Sequence, residues 1–185
     1  SEMCIRDRLE RAWRWDGDEE NPIVRSMGAH SMVTADVDGD GRDEVMLGSC
    51  MLDDNGTLLW SSGLGHSDKA YLCKLHPDRE GMQVFMVSEP KKEDGRGVSV
   101  VDAATGKLIW SIGHTTYHVG DGMVTDFDPA HPGLECFASE DRKGGSTDRY
   151  LLTADGKKLQ VAQDEIPGCR NWIWWDADLL RETFK

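Results

Sequence analysis

The sequence predicts an all-β fold, and within that class a partial β-propeller made of repeated units. Short apolar runs of β type alternate with turn residues along the chain. A Gly-to-Trp spacing recurs in successive units, and the 3.6-residue periodicity of an amphipathic helix is missing from the sequence. A repeat of about 40 to 50 residues with about four short strands is typical of propeller blades.

The units align on a polar anchor residue that follows an apolar one. The anchors are Asp38, His76, Asp128 and Asp178. Runs of β type begin shortly after the first three anchors, at Glu44, Gln83 and Glu135. About three and a half blades fit in the chain, so it is expected to cover half of a closed propeller or less.

Later in each unit, a hairpin turn precedes an apolar strand. The turns are Asn55-Gly56, Thr105-Gly106 and Asp155-Gly156, and the strands are TLLW, KLIW and KKLQV. Trp60 and Trp110 each lie four residues after the turn glycine. This spacing predicts that the two indoles occupy equivalent positions in successive blades.

The stretch DVDGDGRDE, residues 36–44, has the ligand spacing of a calcium-binding turn. The predicted ligands are Asp36, Asp38, Asp40, the backbone carbonyl of Arg42, and Glu44. Alternate carboxylates would repel one another without a cation between them, and Gly41 supplies the positive φ that the turn requires. Apolar runs on both sides place the turn between strands. The alternative is a solvated acidic turn without an ion.

Charge and composition exclude several classes of protein. The formal net charge of −13 argues against nucleic acid binding, which requires a basic surface. No apolar run approaches the roughly 20 residues that span a bilayer. Cys50, Cys73 and Cys136 lie in or beside apolar runs and are predicted to be buried thiols. Residues 1–8 show no periodicity and are interpreted as a non-native tail, with 9–185 as a fragment of one propeller domain.

Several motifs, in order, resemble the rhamnogalacturonan lyases of polysaccharide lyase family 11. The most specific are GLGHSD at 63–68 and WWDADLLRE at 174–182, and the resemblance runs from about Trp13 to Lys185. His76, Ser88 and Ala177 depart from the pattern, where aspartate, histidine and glycine are usual.

The resemblance implies a propeller of about eight blades that holds several Ca²⁺ ions. It also implies a monomeric extracellular or periplasmic enzyme that cleaves the backbone of rhamnogalacturonan I, a pectin polysaccharide, by β-elimination. That reaction removes the proton beside the galacturonate carboxylate and expels the glycosidic oxygen. The carboxylate charge must first be neutralised, by Ca²⁺ or arginine, and a base completes the site.

The candidate site residues each have a structural alternative. His66 and Arg181 are predicted to be catalytic. The alternative for His66 is that it only hydrogen-bonds its turn; Arg181 would act by binding a uronate carboxylate, and its alternative is a local ion pair. Asp68 and Trp175 are predicted to contact substrate, although Asp68 is equally suited to capping or ligating.

A second acidic set is a candidate for a further cation near the cleft. Its members are Glu89, Asp126 and Asp128, with Glu135 and Glu140. The alternative is that they are solvated turn carboxylates.

Two other functions compete with the lyase. One is a non-catalytic calcium-binding propeller module that binds a glycan or a protein. GLGHSD, WWDADLLRE and the single intact calcium motif favour the lyase, because a pure binding repeat would carry the motif in each blade. The other is a hydrolase with paired carboxylates, for which the sequence offers no isolated pair.

Overall fold

The computed structural model describes residues 11–19, 22–141, 143, 145–166, 171–173 and 182–184, without the side chains of Pro22 and of the last two segments. After a short 3-10 helix at Pro22–Val24, this part of the chain forms thirteen strands. They are β1 Val33–Ala35, β2 Glu44–Met46, β3 Cys50–Leu52, β4 Leu58–Ser61, β5 Ser67–Cys73, β6 Gln83–Ser88, β7 Val98–Asp102, β8 Leu108–Ser111, β9 Val119–Thr125, β10 Glu135–Glu140, β11 Arg149–Leu152, β12 Asn171–Ile173 and β13 Glu182–Phe184.

The strands form successive antiparallel sheets in which each strand pairs with the next one along the chain. β1 to β4 and β5 to β8 form two four-stranded sheets, β9 to β11 form a three-stranded sheet, and β12 pairs with β13. No α-helix occurs among the residues described, so the all-β prediction is confirmed. These sheets do not close into a ring, and the number of blades stays a prediction.

The predicted strand KKLQV in the third sheet is wrong. Among the described residues it contributes only an isolated bridge between Lys158 and Leu152. The Gln163 side chain explains part of the difference, because its amide accepts from the Arg149 backbone N–H at 2.7 Å and donates to the Arg149 carbonyl at 2.8 Å. A side-chain amide therefore replaces a backbone ladder at the start of β11.

Tryptophans join each four-stranded sheet to the next sheet. Trp60 Nε1 donates to the Ala103 carbonyl at 2.8 Å, and Trp110 Nε1 donates to the Ala154 carbonyl at the same distance. A bulge follows the residue paired with each tryptophan, which lets the indole turn toward the neighbouring sheet. The predicted equivalence of Trp60 and Trp110 is confirmed.

Apolar side chains between the sheets form the core. One cluster joins the first two sheets through residues such as Met46 and Met86, and another joins the second and third through Phe85 and Cys136. The predicted burial of the three thiols is confirmed, and burial raises the pKa of Cys50 to about 11. None of the described residues forms a helix with the length and apolarity needed to cross a membrane.

Candidate functional site: a histidine and carboxylate centre

Three histidines converge at one end of the first three sheets. His30 precedes β1, and His66 and His118 immediately precede β5 and β9. Glu89 and Asp141 follow β6 and β10, the second strands of their sheets. Because first and second strands are antiparallel, these five side chains come to the same sheet end.

Asp68 lies at the centre of the group. Its Oδ1 is 3.2 Å from His30 Nε2 and 3.6 Å from His66 Nε2, and its Oδ2 is 3.5 Å from His118 Nε2. The Asp68 carboxylate is largely buried. Removing that charge from water is unfavourable unless a cation or charged partners compensate it.

Glu89 and Asp141 complete the centre from the second and third sheets. Glu89 Oε1 lies 3.1 Å from His118 Nε2, and its Oε2 lies 3.7 Å from His66 Nε2. Asp141 Oδ2 lies 3.2 Å from His118 Nδ1, on the other side of that imidazole. Two sets of possible ligand atoms lie within 4.8 Å of one another: His30, His66 and Asp68, and Asp68, Glu89 and His118. Nitrogen and oxygen ligands of this kind suit a divalent cation.

A β-bulge explains why Asp68 reaches the centre. In β5, Ser67 pairs with Ser88 and Lys69 with Val87, which leaves Asp68 as the extra residue. Bulges re-aim side chains and are common beside active sites. The third sheet has its bulge at the same end, where Gly120 is the extra residue between Val119 and Asp121.

A cavity of about 440 Å³ opens beside the centre. It is lined by His30, Asp68, Lys69, His118, Gly120, Asp121, Asp141 and Lys143. A second cavity of about 700 Å³ shares Asp121 and Asp141 with it, so the two form one polar cleft. Lys69 and Lys143 bring positive charge to the first cavity, and Arg149 brings it to the second, whereas the other charged side chains of the two linings are carboxylates.

A buried, hydrogen-bonded pair, Tyr150 and Glu140, lies next to the centre. Tyr150 donates its hydroxyl to Glu140 Oε1 at 2.6 Å, and Glu140 Oε2 accepts from the Tyr117 backbone N–H at 3.0 Å. Burial and this hydrogen bond raise the pKa of Tyr150, so it stays protonated and donating. The pair fixes the end of β10 immediately before Asp141.

At the opposite end of the first sheet, the DVDGDGRDE turn gathers its carboxylates. One converging set is Asp36, Asp38 and Asp40, and a second is Asp38, Glu44 and Asp53. Gly41 has the predicted positive φ, at 89°. The Arg42 guanidinium is directed to Asp54, at 2.7 Å, so its side chain is not a ligand.

The Glu44 carboxylate fits a cation in this turn. It is fully buried, its Oε2 accepts from the Val37 backbone N–H at 2.8 Å, and its Oε1 is buried without a hydrogen-bond partner. Burial raises the pKa of the Glu44 carboxyl, and the neighbouring charge of Asp38 raises it further. A bound cation would satisfy the unpaired oxygen and offset the repulsion.

The third sheet has a related turn after β9. Glu135 Oε2 accepts from the Phe127 and Asp128 backbone N–H groups at 2.8 and 2.9 Å, while Glu135 Oε1 and Asp126 Oδ1 are buried and unpaired. Burial raises the pKa of the Glu135 carboxyl. The closely converging sets found among the described residues do not include these carboxylates, so the first turn is the stronger candidate.

The predicted grouping of Glu89 with Asp126 and Asp128 needs correction. Glu89 contacts His118 just before β9, whereas the two aspartates follow the end of that strand. A strand of seven residues separates its ends by about 20 Å, so the three carboxylates belong to two sites.

A family model described as "Rhamnogalacturonan lyase family 11, C-terminal domain" matches residues 4–185. The chain belongs to this family.

Two rhamnogalacturonan lyases of Bacillus subtilis (strain 168) are similar to the chain in sequence. It is 40% identical over 177 residues to the rhamnogalacturonan endolyase YesW and 37% identical over 177 residues to the rhamnogalacturonan exolyase YesX. These matches cover 95% of the chain in both cases. The chain spans only 26% and 28% of the lengths of these two relatives.

Solved structures of rhamnogalacturonan lyases have the same fold over this region. The crystal structure of the exotype rhamnogalacturonan lyase YesX superposes with a TM-score of 0.82 at 37% identity, over 95% of the chain and 29% of that structure. Bacillus licheniformis rhamnogalacturonan lyase PL11 superposes with a TM-score of 0.81 at 38% identity, over 96% of the chain and 28% of that structure.

The predicted site residues of this family 11 chain fall into two groups. His66 and Asp68 both lie in the histidine and carboxylate centre. Both Asp68 oxygens already contact histidines, which favours a ligand or orienting role over the predicted substrate contact. Arg181 and Trp175 lie outside the described residues, and their roles stay predictions.

Sequence reasoning missed His30, His118 and Asp141. A signal was present, because His66 and His118 both immediately precede the first strand of a sheet, and Glu89 and Asp141 both immediately follow the second. The backbone repeats the pattern: Glu89 N–H donates to the His66 carbonyl at 3.2 Å, and Asp141 N–H to the His118 carbonyl at 2.9 Å.

Proposed function

We propose that this chain is part of a rhamnogalacturonan lyase that cleaves the rhamnose–galacturonate backbone of rhamnogalacturonan I by β-elimination, assisted by Ca²⁺. Membership of family 11 supports the lyase class. The observation that carries the site assignment is the convergence of three histidines from successive sheets on Asp68, beside a cavity that also receives Lys69 and Lys143.

The proposed roles follow from the geometry and charge of the cleft. His30, His66, Asp68, Glu89 and His118 would hold a divalent cation. When bound, that cation supplies positive charge that neutralises a galacturonate carboxylate and makes the neighbouring proton acidic enough to remove.

Lys69 and Lys143 add positive charge at the wall of the same cavity. Uronate carboxylates in this largely acidic cleft would therefore meet cationic groups, which would let a protein of formal charge −13 accept a polyanion. The proton acceptor is not assigned to a residue of this chain.

The turn carboxylates have a separate proposed role. Asp36, Asp38, Asp40 and Glu44 hold a Ca²⁺ ion that stabilises the first sheet, and Arg42 contributes only its carbonyl. Asp126 and Asp128, with Glu135, hold another in the third sheet. The unpaired buried oxygens of both glutamates support this assignment.

We also propose that the sheets are blades of an approximately eight-bladed propeller in a monomeric extracellular or periplasmic protein. Four-stranded antiparallel meanders joined by the Trp60 and Trp110 hydrogen bonds support the blade arrangement. The proposed location follows from the proposed substrate, a polysaccharide of high molecular weight. The chain alone is expected to bind cations but not to cleave polysaccharide, because the cleft of such an enzyme is assembled from several blades.

A segment exchange tests the lyase assignment. The aligned region of YesW is replaced by this chain, and release of unsaturated uronate product from rhamnogalacturonan I is followed by ultraviolet absorbance with Ca²⁺ present. The chimera should be active, and D68N should abolish its activity whereas E80Q, an exposed control, should not. A chimera that folds, as judged by cation-dependent thermal stability, but shows no activity would instead indicate the non-catalytic binding module.

A further inference from the structure

The turns that follow the first strands of the three larger sheets share one backbone pattern. In each, the side chain of the residue that begins the second strand accepts a backbone N–H from the turn. In the first turn the acceptor is Glu44, bonded to Val37, and in the third it is Glu135, bonded to Phe127. Each glutamate keeps its other oxygen buried and unpaired, so in both turns that oxygen is available to a cation.

The middle turn has the same backbone hydrogen bond, but the acceptor is an amide and not a carboxylate. Gln83 Oε1 accepts from the Leu75 backbone N–H at 3.0 Å, as the glutamates do in the other turns. Its second polar atom, Nε2, is a donor and bonds the Gly81 carbonyl at 3.0 Å. The Lys74 ammonium donates to the Arg79 carbonyl and to the Gly81 carbonyl. No buried side-chain oxygen of this turn lacks a partner.

The middle and third turns correspond residue by residue. Segments 74–83 and 126–135 have equal length, and both carry a proline three residues after their start. Gly81 and Gly133 are at the same position in the two segments, and both have positive φ, at 70° and 93°. By this alignment Lys74 stands at the position of Asp126, and Asp36 has the same place in the shorter first turn because each of the three is the first residue after its strand.

We infer that the Lys74 ammonium takes, in the middle turn, the place of the cation that the proposed function assigns to the first and third turns. With Gln83 in place of glutamate, the middle turn keeps its shape without metal. An ammonium is a compact charge with three donors, so it can satisfy carbonyl oxygens as a cation does. The same charge opposes cation binding, because it replaces a carboxylate ligand by a positive group.

Amide hydrogen exchange, read by mass spectrometry of the chain with Ca²⁺ or with chelator, separates the three turns. Removing Ca²⁺ should speed exchange in 36–44 and 126–135 and leave 74–83 unchanged. K74M should speed exchange in 74–83 equally with and without Ca²⁺, and the matched control K107M, at an exposed lysine, should not. Unchanged exchange at 74–83 in K74M would overturn the inference, whether or not the other two turns respond to Ca²⁺.

A gain of cation binding gives an independent test. K74D/Q83E restores the two acidic positions, so exchange in 74–83 should become dependent on Ca²⁺, and calorimetry should show one additional bound ion per chain. K157D/Q160E makes the same change of charge at exposed positions that follow another turn, and it should add none. A folded K74D/Q83E variant with unchanged stoichiometry and calcium-independent exchange at 74–83 would contradict the inference.

Discussion

Asp68 Oδ2 lies 3.5 Å from His118 Nε2, a contact that joins the first strands of two successive sheets. Since Asp68 also contacts His30, which lies just before the first sheet, one carboxylate connects histidines that belong to three successive sheet units. This geometry makes Asp68 the residue on which the candidate cation centre depends most.

The first prediction is that D68N weakens cation binding at this centre. The substitution removes the charge and one of the acceptor oxygens. Loss of a residue that only orients a metal ligand already lowers metal affinity by about tenfold, so we expect D68N to lower cation affinity by at least about tenfold. Isothermal titration with Ca²⁺ and with Zn²⁺ measures the loss. D94N, at an exposed aspartate paired with Arg96, is the matched control. Equal affinities in D68N and the unmodified chain would contradict the prediction.

The second prediction concerns E44Q in the first turn. The amide oxygen can still accept from Val37, but the charge is lost, so we expect Ca²⁺ affinity at this turn to fall by roughly tenfold or more. Without Ca²⁺, E44Q should be at least as stable as the unmodified chain, because it no longer buries a carboxylate with an unpaired oxygen. Thermal unfolding with and without chelator measures both effects, with E80Q as control. A variant destabilised equally in both conditions would show that Glu44 is only structural.

The third prediction is that stabilisation by Ca²⁺ grows with pH. Burial raises the pKa of the Glu44 and Glu135 carboxyls in the metal-free fold. Because their folded pKa values exceed the unfolded ones, the contribution of these two carboxyls to metal-free stability is fully present below the ordinary glutamate pKa, about 4.3, and is lost as pH rises through the raised values. Ca²⁺ binds the ionised carboxylates, so it offsets this loss only at the higher pH.

The measurement is the difference in melting temperature between calcium and chelator, from about pH 4 to about pH 7, across the glutamate range. The difference should be small at the acid end and increase toward neutrality, and E44Q should flatten the curve. A difference that does not vary with pH would mean that proton and cation do not compete for these carboxylates.

The sequence predicted the repeat because its local signals recur in each unit. Glu44, Gln83 and Glu135 all begin second strands, and Trp60 and Trp110 make the same contact with the next sheet. These features depend on neighbouring residues, turn chemistry and apolar patterning, which a single sequence displays.

The histidine centre was only half predicted because it forms between sheets. His30 comes three residues before its strand, whereas His118 comes immediately before its own, so no fixed spacing links them. Their approach depends on how the sheets pack and on the bulge that turns Asp68 inward. The Gln163 amide likewise replaces part of a strand through a contact that alternation cannot reveal.

The last prediction compares two glycine-to-alanine substitutions, to separate the stability cost of disturbed packing between sheets from the cost of backbone strain. Gly106 has a φ of 68°, and a Cβ there would lie 2.6 Å from Trp60 Cδ2. Gly63 has a φ of 70°, and a Cβ added to it would have open space around it. G63A should therefore cost only the left-handed strain, about 1–2 kcal/mol. G106A carries that strain and must also displace the indole that bonds Ala103, so it should cost about 1–3 kcal/mol more. Urea unfolding of the two variants gives the difference, and equal costs would show that the Trp60 contact contributes little to holding successive sheets together.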